Sequence, residues 1–311
     1  MEKKATRESY GAALAELGEK YDFVVLDADL AEATKTCMFK KKFPERFFDC
    51  GIAEGNMMCV AAGIASTGKP VFASTFAIFA SGRAYEQVRN EIGYPHLNVK
   101  IGATHGGITV GEDGATHQSN EDFALMRTIP GMTVMCPADA VEARAMVEAA
   151  LLFEGPVYMR FGRFACPIFN GEDYKFEMGK GVLLADGTDV TLIANGYMVH
   201  LALEAREMLA KEGISAAVIN MHTIKPLDTD IVLSYAKKTG AIVTAEEHSV
   251  IGGLGGAVAE AVSAGCPAIV RRVGVEDKYG KSGNVPALLA EYGLTAQHIY
   301  EEAKCAVAMK K

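Results

Sequence analysis

Residues 132–161 read MTVMCPADAVEARAMVEAALLFEGPVYMRF, and this stretch decides the fold. Met132 to Cys136 is a short apolar run of strand length, Asp139 to Leu152 an amphipathic helical pattern, and Pro156 to Phe161 a second buried-strand run. Buried strands alternating with helices imply a parallel sheet. Right-handed crossovers cover both its faces with helices, and ligands gather beyond the carboxyl ends of its strands. The expected class is therefore α/β, with a mainly parallel sheet flanked by helices.

The same alternation extends toward the start of the chain. Tyr10, Ala13, Leu14 and Leu17 recur at helical spacing, and Phe23 to Leu26 is an apolar run ending at Asp27. Strand patterns follow at Phe47 to Cys50, Pro70 to Thr75 and Leu97 to Ala103, with helical patterns at Met57 to Ile64 and Ala80 to Ile92 between them. From Ala165 the periodicity fades into Pro167, Asn170, Gly171, Asp173 and Gly179, a linker composition. We expect a first domain over residues 1–165, a linker over 166–182 and a smaller α/β domain over 183–311. Strands in the latter are expected near Val190 to Ala194, Ala216 to Ile219, Ala241 to Ala245 and Ala268 to Val273. The cluster Gly252-Gly253-Leu254-Gly255-Gly256 lacks the Gly-x-Gly-x-x-Gly spacing of a dinucleotide loop and reads as a tight turn packing a helix close to a sheet.

Bulk composition narrows the function. Half of the 311 residues are hydrophobic and 23% are charged, the balance of a folded protein. A net charge of −8 argues against nucleic acid or an acidic membrane as partner, and the short run Lys40-Lys41-Lys42 reads as a solvated turn. The polar start Met1-Glu2-Lys3-Lys4 leads straight into a helical pattern, so a cytoplasmic protein without signal peptide or membrane anchor is expected. The seven cysteines are unevenly spaced, without a Cys-x-x-Cys pair or nearby His cluster, and are expected to be reduced and mostly packed, with no metal bound by this chain.

Three stretches at predicted strand ends are hard to explain as packing. In Gly51-Ile52-Ala53-Glu54-Gly55-Asn56-Met57 a carboxylate enters an apolar helix, where it needs a partner such as a ligand nitrogen; its ordinary use is a first-turn Glu at a helix terminus. Ser74-Thr75-Phe76-Ala77-Ile78-Phe79 sets two rings three residues apart, able to face a planar heterocycle or to serve as plain core. Thr104-His105-Gly106-Gly107, running on to Gly111-Glu112-Asp113-Gly114-Ala115-Thr116-His117-Gln118, is a glycine-rich loop with two His and two acids, the composition of a binding loop.

Taken in order, these stretches resemble the pyrimidine-binding domain of transketolases, in register from about Arg7 to Arg160. The resemblance implies that Glu54 hydrogen-bonds the aminopyrimidine ring of thiamine diphosphate and favours its imino form. Phe76 and Phe79 match positions that pack on that ring. A third family aromatic is replaced by Gly82, so the ring contact is expected to be looser or to be filled by a neighbour such as Tyr85. Asp29 matches an acid near the cofactor. Asp113 and His117 match residues that bind sugar hydroxyls, the imidazole lying where charge develops at the carbonyl. Arg7, His105 and Arg160 match residues that bind a sugar phosphate. The second part, including Glu246-Glu247-His248-Ser249, resembles the family's C-terminal domain, which serves assembly; His248 and His222 are expected to be structural.

The family holds the cofactor's diphosphate through Mg2+ with a Gly-Asp-Gly run followed by an Asn, and no Gly-Asp-Gly occurs here. By resemblance the chain is the C-terminal half of a split transketolase, active only with an N-terminal subunit that carries the Gly-Asp-Gly…Asn domain and the metal, most simply as a heterotetramer of two of each. The implied reaction moves a two-carbon ketol unit from a ketose phosphate to an aldose phosphate, as in pentose phosphate metabolism. Ile52-Ala53-Glu54 also resembles 1-deoxy-D-xylulose-5-phosphate synthases and the beta chains of 2-oxo-acid dehydrogenases, and a non-catalytic assembly subunit is the remaining alternative.

Overall fold

A computed structural model describes residues 2–171 and 173–310; Met1 of the polar start, Glu172 of the expected linker and the terminal Lys311 lie outside the described residues. The larger sheet has seven strands in the order Thr223–Lys225, Thr133–Met135, Val157–Phe161, Val99–Thr104, Val71–Phe76, Val24–Asp27, Phe47–Asp49. All neighbours are parallel except the Thr223–Lys225 edge, which runs antiparallel to Thr133–Met135. That edge strand comes from the second half of the chain, so the second half contributes to the first sheet. Three residues between a buried His222 and Pro226 are too short to show a period, which is why the sequence pattern does not reveal it.

The strands are central and doubly buried, and side-chain alternation divides their residues between two cores. Leu26, Ala73 and Ile101 pack with Met57, Ala61, Val88 and Ile92 on one face. Val25, Phe72 and Met159 pack with Tyr10, Leu14 and Val147 on the other. The Tyr10 and Phe161 rings stack at 4.6 Å, pinning the Thr6–Leu17 helix to the sheet. The Ala140–Leu152 helix starts where Asp139 accepts hydrogen bonds from the Val141 and Glu142 amides.

The smaller sheet has the order Ile269–Val275, Ala241–Ser249, Val190–Ala194, Ala216–Asn220, Val182–Ala185, with only the last strand antiparallel. The glycine cluster delivers the first turn of the Leu254–Gly265 helix onto a carboxylate. Glu246 accepts from the Leu254 and Gly255 amides at 2.7 and 2.8 Å, and a Cβ on Gly253 would lie 2.0 Å from Glu246 Oε2. Among the described residues no helix is long and apolar enough to cross a membrane.

Candidate active site

The suspicious residues meet at the carboxyl ends of the parallel strands, as the topology requires. Beyond Val24–Asp27, the buried Asp27 carboxylate takes the Leu30 amide and the Thr34 and Thr36 hydroxyls, at 2.7, 2.7 and 2.8 Å, which shapes the turn bearing Asp29. Burial pushes the Asp27 carboxyl up to about 6. Asp29 is exposed, with φ of +62°, and its amide donates to Asp49 Oδ1, which also takes the Gly51 amide. One carboxylate thereby ties the Asp29 turn to the segment leading into Glu54.

Glu54 opens the Glu54–Ala65 helix and is only 2% exposed. Its partner is Arg83, whose Nη1 lies 2.9 Å from both carboxylate oxygens and whose guanidinium sits 4.3 Å from the Phe79 ring centre. Arg83 ends the π-helical turn Phe79–Arg83, and the four-residue step to Phe79 lays the side chain across the ring. The expected Ala80 to Ile92 helix is thus broken by π-helical turns at Phe79–Arg83 and Val88–Gly93, a distortion common at functional sites. Tyr85 does not fill the space beside Gly82. Its hydroxyl meets Thr128 Oγ1 at 2.9 Å, and the side chain over Phe79 is Arg83.

From Phe79 a continuous run of contacts leads inward. The Phe76 and Phe79 rings stack 5.8 Å apart at 10°, and the His105 ring stacks on Phe76 at 3.8 Å. The His117 ring meets Phe79 edge-on at 5.4 Å. His105 Nε2 lies 3.1 Å from Arg7 Nη1 and its Nδ1 lies 2.9 Å from Thr104 Oγ1. Arginine only donates, so Nε2 accepts and the ring proton sits on Nδ1. Burial, followed by the charges of Arg7 and Arg163, pushes the His105 imidazole down to about 3, so it is neutral. Like Asp29, His105 holds a left-handed φ, of +57°, a conformation that a bulky residue keeps only where its surroundings impose it.

The glycine-rich loop follows. Asp113 is exposed at the end of the Ile108–Asp113 turn, and His117 Nδ1 lies 2.9 Å from Thr116 Oγ1. Arg163, two residues past Phe161, bonds the Val110 carbonyl and reaches Glu112 at 3.2 Å. Burial and the nearby Arg163 lower the Arg7 guanidinium from its usual range. Arg160 lies apart from this group. It is 4% exposed, over the Phe123 ring and 3.4 Å from Asp122, and it donates to the Ser119 and Glu247 carbonyls. A strand residue points along the sheet normal into packed neighbours, whereas Arg163 has cleared the strand end.

Sequence reading therefore missed Arg83 and Arg163. The helical step from Phe79 and the position just beyond a strand end were the available signals. His248 is buried, stacked on Phe123 at 5.0 Å with Nδ1 2.7 Å from the Ser249 carbonyl, and His222 is buried against Phe176. All seven cysteines are free, with Cys37, Cys136 and Cys166 buried and Cys59 and Cys305 exposed.

Comparison with known proteins identifies the family. The transketolase pyrimidine-binding domain matches residues 2–167, and the transketolase C-terminal domain matches residues 179–299. A 6-deoxy-6-sulfo-D-fructose transketolase subunit of Clostridium sp. (strain MSTE9) is 46% identical over 97% of this chain and 94% of its own. One of the subunits of an apulose-4-phosphate transketolase, from Phocaeicola vulgatus, is 40% identical over 96% of each chain. A solved split-gene transketolase, an inactive β4 tetramer, is 54% identical with a TM-score of 0.92 over 99% of each chain. The chain belongs to the transketolase family, of which it carries the pyrimidine-binding and C-terminal domains.

Proposed function

We propose that this chain is the pyrimidine-binding subunit of a split transketolase, which moves a two-carbon ketol unit between sugar phosphates once a second subunit supplies the diphosphate and Mg2+ site. The reading is carried by one observation: the contact run from buried Glu54 through Arg83, Phe79, Phe76 and His105 to Arg7. It joins a carboxylate, an aromatic shelf and a cationic end in one line at the strand ends.

These residues fit thiamine diphosphate. Glu54 is buried with both oxygens engaged by a half-exposed side chain, so a ring nitrogen can take the place of Arg83 without stripping a backbone partner. Phe76 and Phe79 offer a flat apolar surface beside it. When bound, the cofactor supplies the carbon nucleophile and electron sink needed to break a bond next to a carbonyl. Glu54 would hold a proton at the ring nitrogen and fix the ring's orientation. Mg2+ is assigned to the partner, which would carry the Gly-Asp-Gly…Asn run that does not occur in this sequence.

Arg7, Arg163 and neutral His105 form the cationic end of an otherwise acidic chain, which suits a sugar phosphate. Asp113 and His117, on the loop above the aromatic shelf, would take sugar hydroxyls, with His117 placed to move a proton at the carbonyl oxygen. Arg163, with Arg7, replaces Arg160 in the phosphate role. Ile52 is 76% exposed, Phe48 49% and Val60 37%, apolar side chains within six residues of Glu54 in the sequence that a second chain would cover in the heterotetramer proposed. The test is to purify the chain with a second subunit that carries Gly-Asp-Gly…Asn and to assay each alone and together. Ketol transfer is expected only from the pair; activity of this chain alone, or none from a stable pair, contradicts the reading.

A further inference from the structure

The loop from His105 to Gln118 carries His105, Asp113 and His117, yet it is anchored largely by the C-terminal domain. Thr109 donates its amide to Glu247 Oε1 at 2.7 Å. Arg160 Nη2 donates to the Ser119 carbonyl at 3.2 Å and to the Glu247 carbonyl at 2.8 Å, so a single guanidinium bridges the loop's end and the second sheet. Ser249 donates its amide to the Asn120 carbonyl at 2.7 Å, and Gln118 Nε2 donates to the Lys281 carbonyl at 3.0 Å. The loop sits on this support with no clearance. A Cβ on Gly106 would lie 1.8 Å from Arg160 Nε, and one on Gly107 would lie 2.3 Å from Glu247 Oε1.

Buried charged groups are poor stabilisers, because desolvation consumes most of what their contacts return and apolar residues of the same size do as well. Arg160 and Glu247 are 4% and 7% exposed and make contacts that fix loop backbone instead of filling space. His105 immediately precedes the two glycines and keeps its strained φ while stacked at 3.8 Å on Phe76. A shift of the 107–109 backbone would therefore move the imidazole off the aromatic shelf and away from Arg7.

We propose that Glu247 of the C-terminal domain is a positioning residue for ketol transfer: its carboxylate holds the Thr109 amide and so sets His105 and the loop bearing His117. The inference rests on the functional reading above and gives the C-terminal domain a part in the chemistry besides assembly. The test uses the reconstituted enzyme with Glu247→Leu, which keeps the volume and removes the acceptor, and Glu247→Gln, which retains an acceptor oxygen. In the Leu variant kcat/KM for a phosphorylated donor falls about tenfold or more, within the roughly 10²-fold that a 1 Å misplacement can cost. Thiamine diphosphate affinity stays at the wild-type value, and the Gln variant recovers most of the loss. Unchanged kcat/KM in Glu247→Leu, or equal impairment of both variants, overturns the proposal.

Hydrogen exchange at the Thr109 amide in the same assemblies is independent of the substrate assigned: protection is lost with Leu and kept with Gln. Retained protection with Leu overturns the proposal even if the wild-type pair transfers no ketol unit, an outcome that counts against the functional reading alone. Should Glu247→Leu not assemble, Gly107→Ala pushes the loop off an intact Glu247 and is expected to show the same loss; wild-type kcat/KM in that variant overturns the proposal.

Discussion

Arg83 Nη1 stands 2.9 Å from both oxygens of Glu54, a half-exposed guanidinium capping a carboxylate that is only 2% exposed. On the proposed reading it therefore occupies the position that a ligand nitrogen would take. Removing it leaves a buried carboxylate without its partner. Arg83→Met is expected to lower the stability of the isolated chain by about 1–3 kcal/mol, read by denaturant titration. The same variant, paired with the second subunit, is expected to bind thiamine diphosphate more tightly, since a competitor for the carboxylate is gone. Weaker binding would mean that Arg83 assists the cofactor instead of yielding to it.

On the proposed reading, two arginines three residues apart divide substrate contact from support. Arg163 lies at the cationic end with Arg7, so Arg163→Met is expected to raise KM for a phosphorylated donor about tenfold, the loss of one charge-assisted contact, and to cost only about 1 kcal/mol of stability for its half-exposed contacts with the Val110 carbonyl and Glu112. Arg160 is buried between Asp122 and the loop carbonyls. Burial opposes its charge, and the Asp122 and Glu247 carboxylates outweigh that, raising its guanidinium. Arg160→Met strands those acids and is expected to cost about 3–5 kcal/mol of stability. Steady-state kinetics and unfolding curves of both variants check the division; the reverse pattern would restore Arg160 as the phosphate residue.

Glu142 makes one contribution pH-dependent. It accepts from the Ala138 amide, Asn220 Nδ2 across the two halves, and the Tyr174 hydroxyl, and burial pushes its carboxyl up to about 7. Between the ordinary carboxyl range and about 7 the folded chain keeps a proton that the unfolded chain has released, so stability falls as pH rises through that window. Measured against Glu142→Gln, wild type is expected to lose ~3 kcal/mol of unfolding free energy between about pH 5 and about pH 8. A difference that stays flat with pH contradicts this.

The parallel strands were legible because doubly buried strands read as apolar runs: Phe23 to Leu26 and Pro156 to Phe161 could hardly be anything else. The motif stretches stood out only as an ordered set, in which Glu54 and His105 are polar breaks in apolar runs at strand ends. What the sequence hid depended on contacts between distant segments. The Thr223–Lys225 strand pairs with a partner some ninety residues earlier and has no periodicity of its own. Arg160 and Arg163 look equivalent in the sequence; the strand's end at Phe161 buries one and frees the other. The hold of Glu247 on Thr109 spans 138 residues and two sheets, beyond any local pattern.

The central claim is that the Glu54 carboxylate, held out of water at a subunit contact, serves the cofactor's ring. The most direct measurement is ketol transfer by the reconstituted pair carrying Glu54→Gln, with assembly confirmed by size-exclusion chromatography. The account predicts an intact complex whose kcat falls by about 10²-fold or more, the usual worth of a positioned proton-transfer group. Full activity in that complex would contradict it.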